Sequence, residues 1–223
     1  SPSYGCYCTS TAVSNADEDI LKFKFGSIRN CSDCGSTPLG IGSVQNLYGN
    51  YQSVLPATIQ KGTSVPFSVE IGVCSANYYP NVTSIFIDYN QNNSFNDAGE
   101  LVYSSASPTN GAHIESGNIT IPTSALNGLT GLRIINSEQS LPITNPCLVY
   151  SWGETEDYLI NINSSSICSG MPTPGNTIVE VSASCNPISS TYSICSGKTA
   201  LFTIQTIAPN TGYTYQWYNA TTG

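Results

Sequence analysis

The chain has 223 residues, with 6 basic side chains, 14 acidic ones, a single histidine and a formal net charge of −8. Charged residues make up 9% of it, against roughly 25% in ordinary soluble domains, so Ser, Thr, Asn, Gln and Tyr must keep its surface polar. That balance excludes a nucleic-acid binder and a polybasic membrane binder, no apolar run approaches the ~20 residues that span a bilayer, and one histidine excludes most hydrolytic triads and His-rich zinc sites.

In chain order, the elements read as strands. Phe23 and Phe25 alternate with Lys22 and Lys24. Val65, Phe67, Val69, Ile71 and Val73 alternate with Pro66, Ser68, Glu70 and Gly72, the period of a strand with one buried face. Residues 84–89, 101–104, 118–122 and 132–136 are further candidates. Tyr158, Ile160 and Ile162 alternate with Leu159, Asn161 and Asn163. Turn-formers such as Ser107-Pro108-Thr109-Asn110-Gly111 and Asn127-Gly128 separate them. One short helical turn is expected at 123–127 and no other helix. Short strands at regular spacing predict an all-β fold, an antiparallel β-sandwich over residues 1–163. Residues 164–176 have linker composition. A second β unit follows over 177–223, with strands expected at 177–182, 200–206 and 213–218. Its length of about 50 residues is half of an Ig-type sandwich, so the chain reads as the N-terminal piece of something longer.

Nine cysteines are scattered along the chain, at Cys6, Cys8, Cys31, Cys34, Cys74, Cys147, Cys168, Cys185 and Cys195. Scattered cysteines in a lysine-poor chain suit disulfides and a secreted, extracellular setting. Only Cys31 and Cys34 have metal or redox spacing, and they sit in a polar loop. They form either a tight bridge or separate bridges, with Cys6 as good a partner for either. Asn-x-Ser/Thr sequons occur at Asn30, Asn81, Asn92, Asn118, Asn163 and Asn219. In a eukaryotic secreted chain these are glycan acceptors; in a bacterial one they are accidents of composition.

Two acidic stretches are the candidate sites. Asp88, Asn90 and Asn92 stand at i, i+2 and i+4 directly after a strand, followed by Asp97 and Glu100. Alternating oxygen side chains in a turning loop converge on one point and suit Ca2+ at extracellular, millimolar affinity. The plainer reading is a hairpin whose Asn and Asp make Asx turns. The second stretch holds Glu154, Glu156 and Asp157. Carboxylates at i and i+2 of a strand fall near glycosidase separation, but a sandwich without inserts offers little cleft. A structural role is expected, including ion pairing to Arg133. His113 is expected to be exposed or hydrogen-bonded rather than catalytic. Tyr48, Tyr51, Tyr78, Tyr79 and Tyr89 are candidate sugar-stacking faces or ordinary strand residues.

Trp152-Gly153-Glu154-Thr155-Glu156-Asp157-Tyr158 resembles the G-E-V-E-D-Y stretch of the GEVED domain of secreted bacterial proteins. Residues 87–100 resemble that family's I-D-W-N-x-D-G-x-F-x-D-x-G-E element, with Asn92-Asn93 in place of Asp-Gly. Tyr7-Cys8 and Cys147 also match its layout, and the match runs over about residues 4–163. The tail, with Cys195 ahead of Tyr215-Gln216-Trp217-Tyr218, is similar to Ig-like repeats of Bacteroidota surface proteins. The resemblance implies an accessory β-sandwich without agreed catalytic activity, and a Cys8–Cys147 bridge closing the first domain. The expected function is therefore a non-catalytic module of a cell-surface, adhesin-like protein, binding a surface glycan or protein ligand or acting as a spacer. Two alternatives stand beside it: a subunit of an extracellular filament or layer packing with its own copies, and an accessory targeting domain of a secreted hydrolase.

Overall fold

The computed structural model describes residues 7–75 and 77–164, together with the backbone of two later strands. The chain divides into two compact units with the break near Ser166. In the first, Phe23 and Phe25 are buried on β2 (Glu18–Phe25), and Phe67, Val69 and Ile71 on β6 (Ser64–Val73). Antiparallel pairing sets Phe23 beside Val69 and Phe25 beside Phe67. A register shift between Ile20 and Lys22 inserts one residue, so that Ile20 and Phe23 both reach the core. With β3 (Ile28–Cys31) and β10 (His113–Thr120) these strands form a four-stranded sheet, in the order β10-β6-β2-β3.

The larger sheet is built on β7 (Pro80–Ile87), β11 (Gly128–Ser137) and β12 (Val149–Asn163), which pair antiparallel in the order β12-β11-β7. β8 (Leu101–Ser104) and β9 (Thr109–Asn110) extend it along β7. Three short strands, β1 (Thr11–Ser14), β4 (Tyr48–Asn50) and β5 (Ala57–Gln60), lie along β12. These pair parallel to β12, a departure from the wholly antiparallel sandwich expected. β12 is 15 residues long, so three separate segments can each use part of its free side. The 123–127 segment is a turn closed by Ala125 N–H donating to Pro122 O at 3.1 Å.

The fold is all-β, two sheets stacked as a β-sandwich. Ile20, Phe23, Phe67, Ile85, Leu132 and Tyr158 belong to the core between the sheets. The outer face of the larger sheet carries a second apolar cluster, in which Phe86, Ile135 and Tyr150 meet Phe95 and Ile143, with Tyr7 and Leu148 at its margin. Covered on both faces, β7 and β11 are buried almost end to end. A disulfide joins Cys8 to Cys147 across 139 residues. Another joins Cys34 to Cys74 across 40, so the tight Cys31–Cys34 bridge does not form; Cys31 is itself disulfide-bonded. On the chain-entropy account such loops contribute about 5 and about 4 kcal/mol.

Asn30 and Asn81 are 3% and 0% exposed, and their amide nitrogens donate to Tyr158 Oη and to the Tyr79 and Gly111 carbonyls. The fold leaves no room for a glycan there, which corrects their reading as acceptors; Asn92, Asn118 and Asn163 are on the surface. In the second unit, β13 (Thr177–Val181) pairs antiparallel with β14 (Ala200–Ile204). The linker 165–176, the strand at 213–218, Asn219 and Cys6, Cys168, Cys185 and Cys195 lie outside the described residues.

Candidate functional site

The stretch 153–158 is almost wholly interior. Gly153 has φ +118°, and a Cβ there would stand 2.1 Å from the Asn136 carbonyl oxygen, so only glycine fits where β12 meets β11. Beyond it the strand alternates. Thr155 and Asp157 face the outer cluster: the Thr155 hydroxyl is 2.8 Å from Tyr150 Oη and 2.9 Å from Ser10 Oγ. Glu154, Glu156 and Tyr158 face the smaller sheet. Ile20 N–H donates to Glu154 Oε2 at 3.2 Å, and Glu156 accepts from Ser32 Oγ at 2.9 Å and Tyr158 Oη at 2.7 Å.

Asp157 is paired with Arg133 in the interior. Nε and Nη2 each donate to an Asp157 carboxylate oxygen at 2.7 Å, the bidentate geometry that makes such pairs strong. Nη1 donates to the carbonyls of Cys8 and Pro146, both at 2.8 Å, and the guanidinium carbon lies 5.2 Å from the Phe95 ring centroid. One buried cation thus ties β11, β12 and both flanks of the Cys8–Cys147 bridge. Next to it a cavity of about 450 Å³ is lined by Tyr7, Tyr48, Asn50, Gln52, Arg133 and Asp157 among others.

Other acids are buried close to one another. Asp17, Glu18 and Asp19 at the start of β2 are 7%, 0% and 2% exposed, and Glu154 and Glu156 are 3% and 0%. Burial, then the charges of Glu156, Glu18 and Asp17, push the Asp19 carboxyl up to about 8. Burial, then Glu156 and Asp19, raise Glu154, and burial raises Glu156. Glu138, directly after β11, is raised by burial and by close contact with Glu18 and Asp17. This acidic nest was only half legible in the sequence. Glu154 and Glu156 stand out in the sequence, whereas Asp17, Glu18, Asp19 and Glu138 were not singled out there. The run of three acids at 17–19 was the available signal.

In the loop 88–100 the five candidate calcium ligands, Asp88, Asn90, Asn92, Asp97 and Glu100, are all engaged in hydrogen bonds. Asp88 is 0% exposed; its carboxylate accepts from the Asn92 and Asn93 amides at 3.2 and 3.0 Å and from Tyr7 Oη at 2.9 Å. Glu100 accepts from the Tyr89, Asn90 and Asp97 amides, while burial and the Asp88 charge raise its pKa against those bonds. Asn90 Oδ1 accepts from Asn92 N–H at 3.0 Å, and Asn92 Nδ2 donates to Asp97 Oδ2 at 2.8 Å. That last bond lowers the exposed Asp97 carboxyl. Gln91 and Asn93 take positive φ, 55° and 65°. The loop is therefore closed by Asx-type hydrogen bonds of its own.

Tyr78 and Tyr79 are exposed, but Tyr89 is 8% exposed. Tyr51 stacks on Tyr158 with centroids 5.3 Å apart, and Tyr48 Oη donates to Asp157 at 2.9 Å. Three of the five candidate sugar-stacking rings are thus engaged in the fold. His113, on β10, sits 3.3 Å from Glu115, which also accepts from Ser105 and Tyr103 hydroxyls.

A family model of the GEVED domain matches residues 82–161, a span that holds the loop 88–100, Arg133 and the stretch 153–158. Among solved structures the chain is similar to a CARDB domain from Pyrococcus furiosus crystallised in complex with di-metal ions. That similarity is 9% identity with a TM-score of 0.31, over 48% of this chain and 84% of that one. The search of curated proteins returned no match.

Proposed function

We propose that this chain is a non-catalytic, extracellular module of a larger cell-surface, adhesin-like protein. It binds a surface glycan or protein ligand, or spaces neighbouring modules in an array. One observation carries the reading: the acids that a hydrolase would present in a cleft are interior. Glu154 and Glu156 are 3% and 0% exposed, and their oxygens accept from β2 backbone and from Ser32 and Tyr158. The disulfides at Cys8–Cys147 and Cys34–Cys74 fit an oxidising, extracellular setting. No helix among the described residues is long and apolar enough to cross a membrane. The cavity beside Arg133, with its tyrosines and amides, has the mixed aromatic and hydrogen-bonding lining that suits a sugar ring.

Calcium at the loop 88–100 belongs to this proposal as a stiffener. Asp88, Asn90, Asn92, Asp97 and Glu100 supply oxygen donors only, the chemistry calcium takes. The ion would compete with the Asn92–Asp97 bond, and the affinity expected is that of weak extracellular sites, ~10⁻⁴–10⁻³ M.

The test is the purified chain on glycan and surface-protein arrays, in parallel with glycosidase and peptidase assays. Binding without turnover, weakened by Tyr48→Ala or Gln52→Ala, is the expected result. Hydrolysis that Glu156→Gln abolishes would overturn the reading and make the chain catalytic. Concentration-dependent polymers would transfer it to the filament alternative. A calcium-dependent rise in melting temperature that Asp88→Ala removes is expected of the loop.

A further inference from the structure

At one end of the sandwich, four carboxylate oxygens meet no hydrogen-bond donor: Oδ1 and Oδ2 of Asp19, Oε2 of Glu18 and Oε1 of Glu138. Glu18 and Asp19 are 0% and 2% exposed, and interior polar atoms are otherwise nearly always bonded. The nest narrows at Glu138, whose carboxyl is in close contact with those of Glu18 and Asp17. The opposite oxygens are already engaged. Glu18 Oε1 accepts from Tyr79 N–H at 2.6 Å, and Asp17 Oδ1 from Ser75 Oγ at 2.7 Å. Acceptor therefore faces acceptor, and such a contact holds only if a proton or a cation lies in it.

Among the described residues, two cations are engaged elsewhere, Lys22 with Glu70 and Arg133 with Asp157. His113 feels the Glu18 charge, but its ring is engaged by Glu115 and the Gly111 carbonyl. One trio has donor atoms all within 4.8 Å of one another, Asp19 with Cys34 and Cys74; their disulfide removes both sulfurs from coordination.

We propose that this end of the sandwich binds a divalent cation, calcium, between Asp17, Glu18 and Glu138. The donors are all oxygen, without imidazole or thiolate, which selects a hard cation. Calcium accepts six to eight oxygens in irregular geometry, whereas magnesium demands a tight octahedron. The contacts run pairwise through Glu138, so the ion would draw Asp17 and Glu18 in around it. Glu138 is half-buried and gives the ion a way in from solvent. Glu18 belongs to the smaller sheet and Glu138 follows β11 of the larger one, so the ion would staple sheet to sheet. This site shares no residue with the loop 88–100 and does not depend on the adhesive reading.

The experiment is calcium titration calorimetry and thermal melting of the full chain after chelator treatment, with the Glu138→Gln, Glu18→Gln and Asp88→Ala variants. Glu138→Gln, at the rim, is expected to fold and to bind this calcium at least tenfold more weakly, while Asp88→Ala retains it. At about 100-fold excess over Kd the unmutated chain should melt about 5–10 °C higher than with chelator. Calcium binding that Glu138→Gln leaves intact overturns the site. So does an unmutated chain indifferent to calcium whose melting temperature Glu138→Gln raises in chelator, because the nest is then closed by a shared proton.

Discussion

Replacing Arg133 by methionine removes the cation but keeps most of the stem's volume, so it tests the ion pair rather than packing. Arg133 is 2% exposed. Its loss deletes two 2.7 Å bonds to Asp157 and the two 2.8 Å bonds to the Cys8 and Pro146 carbonyls. Asp157, 3% exposed, keeps the Tyr48 hydroxyl at 2.9 Å but no positive charge. Breaking a buried pair on one side costs about 3–5 kcal/mol, because an uncompensated charge stays behind. For a folded unit of this size that is a fall in melting temperature of about 6–20 °C. The assay is urea and thermal unfolding under non-reducing conditions, for Arg133→Met, Asp157→Leu and the double variant. The double variant should cost less than the two single ones added, by more than about 1 kcal/mol. An Arg133→Met chain within about 1 kcal/mol of the parent would refute the assignment of Arg133 as the electrostatic centre of the outer cluster.

His113 is the single histidine, so one imidazole signal in an NMR titration reports it. Its pKa is raised, chiefly by the bond to Glu115, while that bond holds Glu115 down at about 2. The His113 share of stability is full below about 6.5, the unfolded histidine value, and is lost as pH rises through the folded pKa. The Glu115 share is present above about 4.5 and lost as pH falls toward 2. Stability from the pair should thus peak between those limits, and Glu115→Gln should move the His113 midpoint downward; an unmoved midpoint breaks the pairing. Cys8→Ser with Cys147→Ser should destabilise by up to about 5 kcal/mol, read as a lower urea midpoint. Gly153→Ala should cost more than about 1 kcal/mol, given φ +118° and a 2.1 Å approach to Asn136 O; a neutral result in the same unfolding assay would show that β12 can shift away.

Local pattern alone determined the class of this fold. Alternation at 22–25, 65–73 and 158–163, with turn-formers between, is a period-2 signal, and those stretches are β2, β6 and β12. The motif 153–158 was legible through its resemblance to the G-E-V-E-D-Y stretch and as a cluster of three acids. Pairing partners are a different matter. β1, β4 and β5 are three or four residues long, too short for a periodic signal, and became strands only because β12 offered a free side. β7 and β11 hide their alternation because both faces are covered. The bridge between Cys34 and Cys74, the Arg133–Asp157 pair and the contact of Glu138 with Asp17 and Glu18 join residues 24 to 121 positions apart. Sequence carries the tendency of each residue to be buried or exposed. Which acids share one dry space, and which find a guanidinium there, is decided only when two sheets close on each other.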